Sequence, residues 1–473
     1  MSQYQSENKI CQNCKNQFTI EPEDFEFYAK IKVPAPTFCP ECRMVRRMQW
    51  RNERSLYKRK CDLCNKPILS IYNLKNTFKV YCQTCWWSDK WSAEEYAVNI
   101  DLHKPFLEQL FSLFNTVSRR NLRIINADNS DFANFIGYSK NCYLTTDTRF
   151  SENVFNSVQI RKGRECFESS RCENVELVYE LVNCENIYNS QFLINCRDCL
   201  DSSFLLDCIN CRNCFMSSNL KNKEYFFKNK KCNSFDYFNL LKKERNEGGF
   251  KNLTKLLEDF DELKIKAVYK YNNNINCVYC SGDFLKNCKN SYYVFYSQGV
   301  ENTKYGVDLF MNKDSMDLSF FSGSEMSYES ISPAFASFSQ KFSCETLNSY
   351  YVEYCHNVCD SSYLFGCVGL KNKQYCILNK QYTKEEYEKL VPKIIEHMNN
   401  MPYIDKKGRV YKYGEFFPAE LSPFTYNESK VQEYFPLTKE AALEQGYSWR
   451  DPEERNIKPT ITSDQLPDHI KDV

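Results

Sequence analysis

Eight cysteines near the start of the chain stand in four CxxC pairs: Cys11/Cys14, Cys39/Cys42, Cys61/Cys64 and Cys82/Cys85. A CxxC puts two thiolates on one tight turn, at a bite that suits a tetrahedral soft-metal ion. The third and fourth pairs are 17 residues apart, inside the usual zinc-ribbon span, and the first and second are 24 apart. This spacing predicts two Zn2+ per chain, each held by four cysteines. Sequential pairing would build two ribbons and interleaved pairing a cross-brace; spacing admits both. Four thiolates leave no open position for water or substrate. The zinc is therefore expected to be structural, with its binding part of the folding free energy. Redox CxxC motifs usually occur singly, on a strand–helix unit.

Between the pairs lies CRMVRRMQWRNERSLYKRKC, residues 42–61. It carries Arg43, Arg46, Arg47, Arg51, Arg54, Lys58, Arg59 and Lys60 against the single acid Glu53, with Trp50 and Tyr57 interleaved. Residues 1–90 hold 16 Lys/Arg and 9 Asp/Glu, so a chain of net charge +1 has a basic head and an acidic remainder. Guanidinium forks match phosphate geometry and the rings could stack on bases, so RNA or the ribosome is the expected partner of Arg43, Arg46, Arg47, Trp50, Arg51, Arg54, Lys58, Arg59 and Lys60. The bland alternative is a solvated helix whose arginines pair with acids elsewhere.

Composition narrows the rest. The near-neutral net charge points to no global polyanion binding. No run is apolar enough to span a bilayer, and the opening MSQYQSENKICQNC has no basic-then-apolar leader pattern, so a soluble cytoplasmic protein without a membrane partner is expected. In such a protein 26 cysteines read as reduced thiols and metal sites, and four histidines are too few for histidine-rich metal chemistry. Only 13 glycines are present, and no Walker A or GxGxxG pattern occurs.

A cysteine then returns every twelve residues, at Cys172, Cys184, Cys196 and Cys208. Written in rows of twelve, Asn174, Asn186, Asp198 and Asn210 form a column, as do Val175, Ile187, Cys199 and Cys211, and Asn183, Asn195, Asp207 and Asn219. A short fixed period with aligned apolar and Asn/Asp columns predicts a β-solenoid, the amide side chains serving left-handed corners and bonding between coils. Twelve residues could be one narrow coil or half of a coil of about 24. The larger coil is expected, because the flanking repeats look irregular at twelve. The thiols are expected to be small buried hydrophobes; CxxCxxC at Cys208, Cys211 and Cys214 could instead hold a metal. The pattern recurs at 343–378, aligning Asn348, Asp360 and Asn372, and Tyr351, Tyr363 and Tyr375. Both copies close on L-K-N-K-x-Y-x3-N-K, at 220–230 and 370–380, a separation of 150 that marks an internal duplication.

Elements of defined type must hold these groups. The fold class is multidomain and mainly β: N-terminal zinc ribbons, then two duplicated parallel β-helix (β-solenoid) segments with capping helices. The boundaries are tandem ribbons with a basic linker at 1–90, a helical connector at 91–137, solenoids at 138–232 and 277–380, a helical linker at 233–276, a capping helix at 381–402, and an irregular region with tail at 403–473. Capping signals at Ser92 and Thr383, Pro105 at a helix start, and an apolar face of Phe106, Leu110, Leu113 and Phe114 place the helices. The segment after the second ribbon is expected to pack the head onto the next domain of the chain, with Trp86, Trp87 and Trp91 as core.

The motifs CQNCKNQFTIEPEDFEFYAKIKVPAPTFCPECR, RNERSLYKRKCDLC, VYCQTCWWSDKW and EFFPAELSPFTYNES, with the Cys/Asn-rich repeats, resemble a zinc-ribbon/Cys-rich repeat protein family of candidate-phyla bacteria with a "probable zinc-ribbon" type N-terminal domain. The resemblance implies zinc at the four N-terminal pairs and brings no catalytic activity. The expected function is a zinc-binding, non-enzymatic interaction protein: a ribbon head on RNA or the ribosome, and solenoids presenting a face to a protein partner. The alternatives are an assembly scaffold with purely structural zinc, and a polymer-acting β-helix enzyme, for which Asp308, Asp317 and Glu329 or the Cys355-His356 pair would be the reactive groups.

Overall fold

The computed structural model describes residues 3–245, 248–332, 337–451, 460–462 and 465–472. The chain divides into two units. One joins Met1–Asn121 to Asn272–Asp451; the other is Leu122–Tyr271 with Pro452–Val473. The first therefore contains the cysteine pairs, the second repeat copy and the C-terminal region, and the second contains the first repeat copy and its helices.

In the second unit parallel strands run from Ile124 to Phe227 and stack with a register of twelve: Val175 pairs with Ile187, Ile187 with Cys199, and Cys211 with Lys223. Each coil is thus twelve residues, not the 24 expected from the irregular flanks. The reason is a period of three that the row-of-twelve alignment conceals. Every third residue from Asn141 to Lys228 has a positive φ, so the chain turns a corner at each triplet and four triplets close a coil. The residue after each corner points inward. Four inward columns result, and all are small or aliphatic: Cys172/Cys184/Cys196/Cys208, Val175/Ile187/Cys199/Cys211, Val178/Ser190/Ser202/Cys214 and Leu181/Leu193/Leu205/Ser217, all buried.

The left-handed corner costs a non-glycine residue roughly 1–2 kcal/mol, least for Asn and Asp. Amide ladders offset it. Asn174 donates to Asn186 at 2.7 Å, Asn186 to Asp198 at 2.7 Å, and Asn183 to Asn195 at 3.1 Å. Inward hydroxyls are satisfied by the backbone: Ser202 donates to the Leu200 carbonyl at 2.7 Å and accepts the Cys214 amide at 3.1 Å. Inward thiols do the same more weakly. Cys208, Cys211 and Cys214 each donate to a carbonyl two residues back, at 3.4, 3.4 and 3.3 Å. These three are core thiols in separate columns, and among the described residues no metal-sized group includes them.

The second copy, from Val278 to Gln381 in the first unit, has the same construction with two register faults. Val278 pairs with Lys289, eleven residues on, while Ser324 pairs with Ser337 and Tyr328 with Lys341, thirteen on. These single-residue changes explain why the columns do not align across 300–343 in the sequence. Each copy ends on an antiparallel hairpin made by the shared closing phrase, Lys221–Phe227 with Lys230–Lys231 and Gln374–Ile377 with Lys380–Gln381. In both, an asparagine at positive φ caps the last open amide: Asn229 accepts from Ser218 at 2.9 Å and Asn379 from Val368 at 2.8 Å. Helices Ser234–Arg245 and Lys384–Asn400 come next. Thr383 and Glu386 form the predicted capping box. At Ser92 the capping signal produces only a 3-10 turn, Ala93–Tyr96.

If the solenoid cysteines are core thiols, Cys196→Ala should lower stability by roughly 1–3 kcal/mol and leave the metal content of the purified protein unchanged. Denaturant titration and elemental analysis check the two halves separately.

Candidate metal centres

Each pair of CxxC motifs builds one module from the same parts. The hairpins Glu7–Ile10 with Gln17–Ile20 and Tyr57–Lys60 with Pro67–Ser70 carry the first CxxC of each module in their turns. The residue after the second cysteine, Lys15 or Asn65, has φ near 60°, which bends the turn around its sulfurs. The second CxxC opens a helix: Cys39 is the N-cap of Pro40–Met48 and Cys82 that of Gln83–Trp86. Helix amides and dipole then face the thiolates.

The sulfurs meet in two groups, Cys11/Cys14/Cys39/Cys42 and Cys61/Cys64/Cys82/Cys85, with all ligand atoms of a group within 4.8 Å of one another. Pairing is therefore sequential. The Cys14–Cys39 and Cys64–Cys82 sulfurs lie 3.7 and 3.9 Å apart. A tetrahedral ion with thiolates at ~2.3 Å places its sulfurs ~3.8 Å apart, so the donor set fits such an ion. Outer contacts orient the sulfurs: the Cys39 amide donates to Cys11 at 3.3 Å, the Cys82 amide to Cys61 at 3.2 Å, and Asn13 Nδ2 to Cys42 at 3.2 Å. Hydrogen bonds from Cys39 and Cys42 hold the Cys11 thiol far below its usual range, while Cys39 is pushed up to about 12 by its bond to Cys11. Burial opposes ionisation of Cys61, yet the amides of Cys82, Cys64 and Leu63 bring it down to about 7. In each group one thiolate forms easily and suppresses the others, the repulsion that a bound dication removes.

The basic stretch lies elsewhere than expected. Arg43, Arg46 and Arg47 leave one face of helix Pro40–Met48 and are buried against the second solenoid. Arg43 donates to Asp317 at 2.9 Å through Nε; Arg46 donates to Glu329 at 2.8 Å and Glu415 at 3.0 Å; Arg47, 0% exposed, bridges Asp317 and Glu329 at 3.2 and 3.4 Å. Arg51 bonds Glu53 at 2.6 Å and Ser332 at 2.7 Å, and Lys430 closes the pair from the far side of Glu53 at 2.9 Å. Trp50 is packed among Phe114, Phe416, Phe417 and His356. The expectation that Arg43, Arg46, Arg47, Trp50 and Arg51 reach nucleic acid is corrected by this burial: guanidinium groups enclosed with carboxylates have neither the exposure nor the free charge to meet phosphate. Arg54, Lys58 and Lys60 stay exposed, and Arg59 is tied to Asp62 at 2.8 Å.

The same geometry accounts for the carboxylates considered as reactive groups. Asp317 and Glu329 stand one coil apart in one column and do converge, but on arginines. Asp308 accepts from the Tyr434 hydroxyl at 2.8 Å. His356 is buried beside Arg119, and burial holds its imidazole well below the usual range.

The second module docks similarly. Trp86 and Trp91 are buried, Trp87 is partly exposed, and the three rings surround Lys371 at 4.8, 4.7 and 5.4 Å. Helix Phe106–Thr116 places Phe106 against Phe365 at 5.2 Å. The head thus packs on the second solenoid rather than, as the chain order suggested, on the domain next to it in sequence. No protein-family profile matches the chain, and no curated protein matches it.

Burial opposes ionisation of Glu53, but Lys430 and Arg51 hold its carboxyl down at about 2. A depressed carboxyl stabilises the fold above its unfolded value and loses that contribution as pH falls through the folded value. The shift from 4.5 to about 2 corresponds to roughly 3 kcal/mol. Wild type should therefore lose its stability advantage over Glu53→Gln between about pH 4.5 and 2, measured by denaturant unfolding at each pH. Chelating the metals should also expose Trp50, read as a red shift of its fluorescence, because helix Pro40–Met48 carries two ligands and the adjoining arginines.

Proposed function

We propose that the chain is a zinc-binding, non-enzymatic interaction protein in which both zinc ions are structural and partner proteins are met on the solenoid faces. The observation that carries this reading is the burial of Arg43, Arg46 and Arg47 with Asp317, Glu329 and Glu415. A head whose cations are spent inside the molecule is a clamp for the second solenoid, not a hand held out to phosphate. All-thiolate donor sets with the spacing above favour zinc among biological ions and leave it no open position. Support for the solenoid faces comes from their relief. A groove of about 860 Å3 on the first solenoid is lined by Tyr138, Phe150 and Tyr188 and by the pairs Lys140–Glu152 and Arg164–Glu176. Exposed aromatic residues beside polar ladders are the composition of a contact surface.

A second reading keeps RNA as partner and moves the contact to Arg54, Lys58 and Lys60. It is favoured by the outward face of the hairpin strand Tyr57–Lys60, which exposes Lys58 and Lys60.

Elemental analysis of the purified chain should find two zinc per molecule. Arg46→Glu and Arg47→Glu should fail as folding variants, with loss of metal and of cooperative unfolding, because each leaves buried like charges facing one another. Crosslinking to RNA in the native cells decides between the readings. The first expects no crosslink above background; a strong crosslink abolished in Lys58→Glu/Lys60→Glu would replace it with the second.

A further inference from the structure

The duplication continues past its closing phrase into the cap helices, and there the two copies differ in one informative way. Over Lys231–Phe238 and Gln381–Glu388 the exposure pattern is the same residue for residue. Tyr237 and Tyr387 are the buried rings, each meeting an edge of its own hairpin's tyrosine, Tyr225 or Tyr375, at 5.8 Å. The caps are therefore equivalent structures. On the solvent side the second copy has Glu385 and Glu388 where the first has Phe235 and Phe238, exposed by 74% and 51%. Two phenylalanines three apart share one face of the helix. The equivalent helix folds with glutamates at these places, so capping does not require the rings.

The surroundings say what such rings would meet. Residues 219–245, the hairpin and first cap helix, hold eight Lys/Arg against three Asp/Glu, and seven of the eight are lysines. Cations and rings form one patch: Phe238 lies 6.1 Å from Tyr225, and Lys231 sits over Tyr225 and Phe226 at 5.6 and 5.8 Å. Some of the charge is already engaged, as in Lys228–Glu244 at 3.0 Å, but the excess remains positive. A second copy of this surface would bring like charges together. A protein partner is disfavoured by the lysines, which protein interfaces avoid in favour of arginine. Clustered lysines around protruding aromatic side chains suit the diffuse negative field of anionic lipid headgroups, with the rings entering the acyl boundary. We propose that the closing hairpin and cap helix of the first solenoid, through Phe235, Phe238 and the surrounding lysines, form a docking surface for an anionic lipid bilayer. Docking is peripheral: among the described residues no helix is long and apolar enough to cross a membrane.

The test uses the full, zinc-loaded chain sedimented with vesicles of phosphatidylcholine alone or mixed with phosphatidylglycerol. Binding is expected only to the mixed vesicles, weakening as salt is raised. Phe235→Glu/Phe238→Glu, which installs the second copy's residues, should reduce binding at least about tenfold with circular dichroism and zinc content unchanged. Should that variant fold poorly, Lys223→Gln/Lys230→Gln tests the charged half and should also weaken binding. Absence of wild-type binding to mixed vesicles, or undiminished binding by folded Phe235→Glu/Phe238→Glu, overturns the proposal. So does concentration-dependent self-association that this variant abolishes, which would assign the patch to a second copy.

Discussion

Three guanidinium groups and three carboxylates, all withdrawn from water, hold the N-terminal head against the second solenoid. Each desolvated charge would cost several kcal/mol if left alone, so the network is stable only when every member is in place. It therefore dictates register more than it adds stability. Arg43, Arg46 and Arg47 must arrive together, and they do so because Cys39 and Cys42, on the same helix, are pinned to Cys11 and Cys14. The metal cluster and the ion network are two ends of one rigid turn of helix. Structural zinc in this chain is thus a means of presenting arginines to a distant part of the sequence.

The solenoid that receives them rests on a different balance. Every third residue accepts a left-handed backbone, and in the described coils that includes Leu177, Phe192, Phe204 and Met216 as well as the tolerant Asn and Asp. Isolated, such corners would relax. Stacked at ~4.8 Å, each is held by main-chain bonds to the coils above and below. A coil of four triplets leaves little room inside, which limits the inward columns to Cys, Ser, Thr, Val, Ile and Leu with an occasional Gly such as Gly163. Cysteine suits this space because it is small and apolar and its S–H can reach a carbonyl: Cys184 Sγ lies 3.3 Å from the Val182 oxygen and 3.4 Å from that of Leu193. The head cysteines differ in chemistry because amides and neighbouring thiols converge on them.

Much of this was legible in the residues. The four CxxC pairs located both metal groups, since ligand spacing within a turn is a local property. The Asn/Asp columns located the solenoid and its corners, and the repeated closing phrase located the two end hairpins, with Asn229 and Asn379 capping equivalent amides. The length of a coil is obscured because one residue lost near 280 and one gained before Ser337 break the columns. The period of three beneath the period of twelve, visible in the small residues at 172, 175, 178 and 181, carries the true coil length.

Local spacing, small-residue periodicity and capping signals determined by themselves that this chain has two four-cysteine centres, two copies of a stacked β-coil and helices at the coil ends. Tertiary structure alone decided what the arginines are for. Residues 42–61 contain a single acid, so nothing within reach along the chain announces that Arg43 meets Asp317, or that Arg46 meets Glu329 and Glu415, some 270 to 370 positions away. Exposed and buried arginines have the same local sequence. Only the packing of the head on the second solenoid distinguishes them, because the energy of a charge is set by the dielectric and partners around it rather than by its neighbours in sequence.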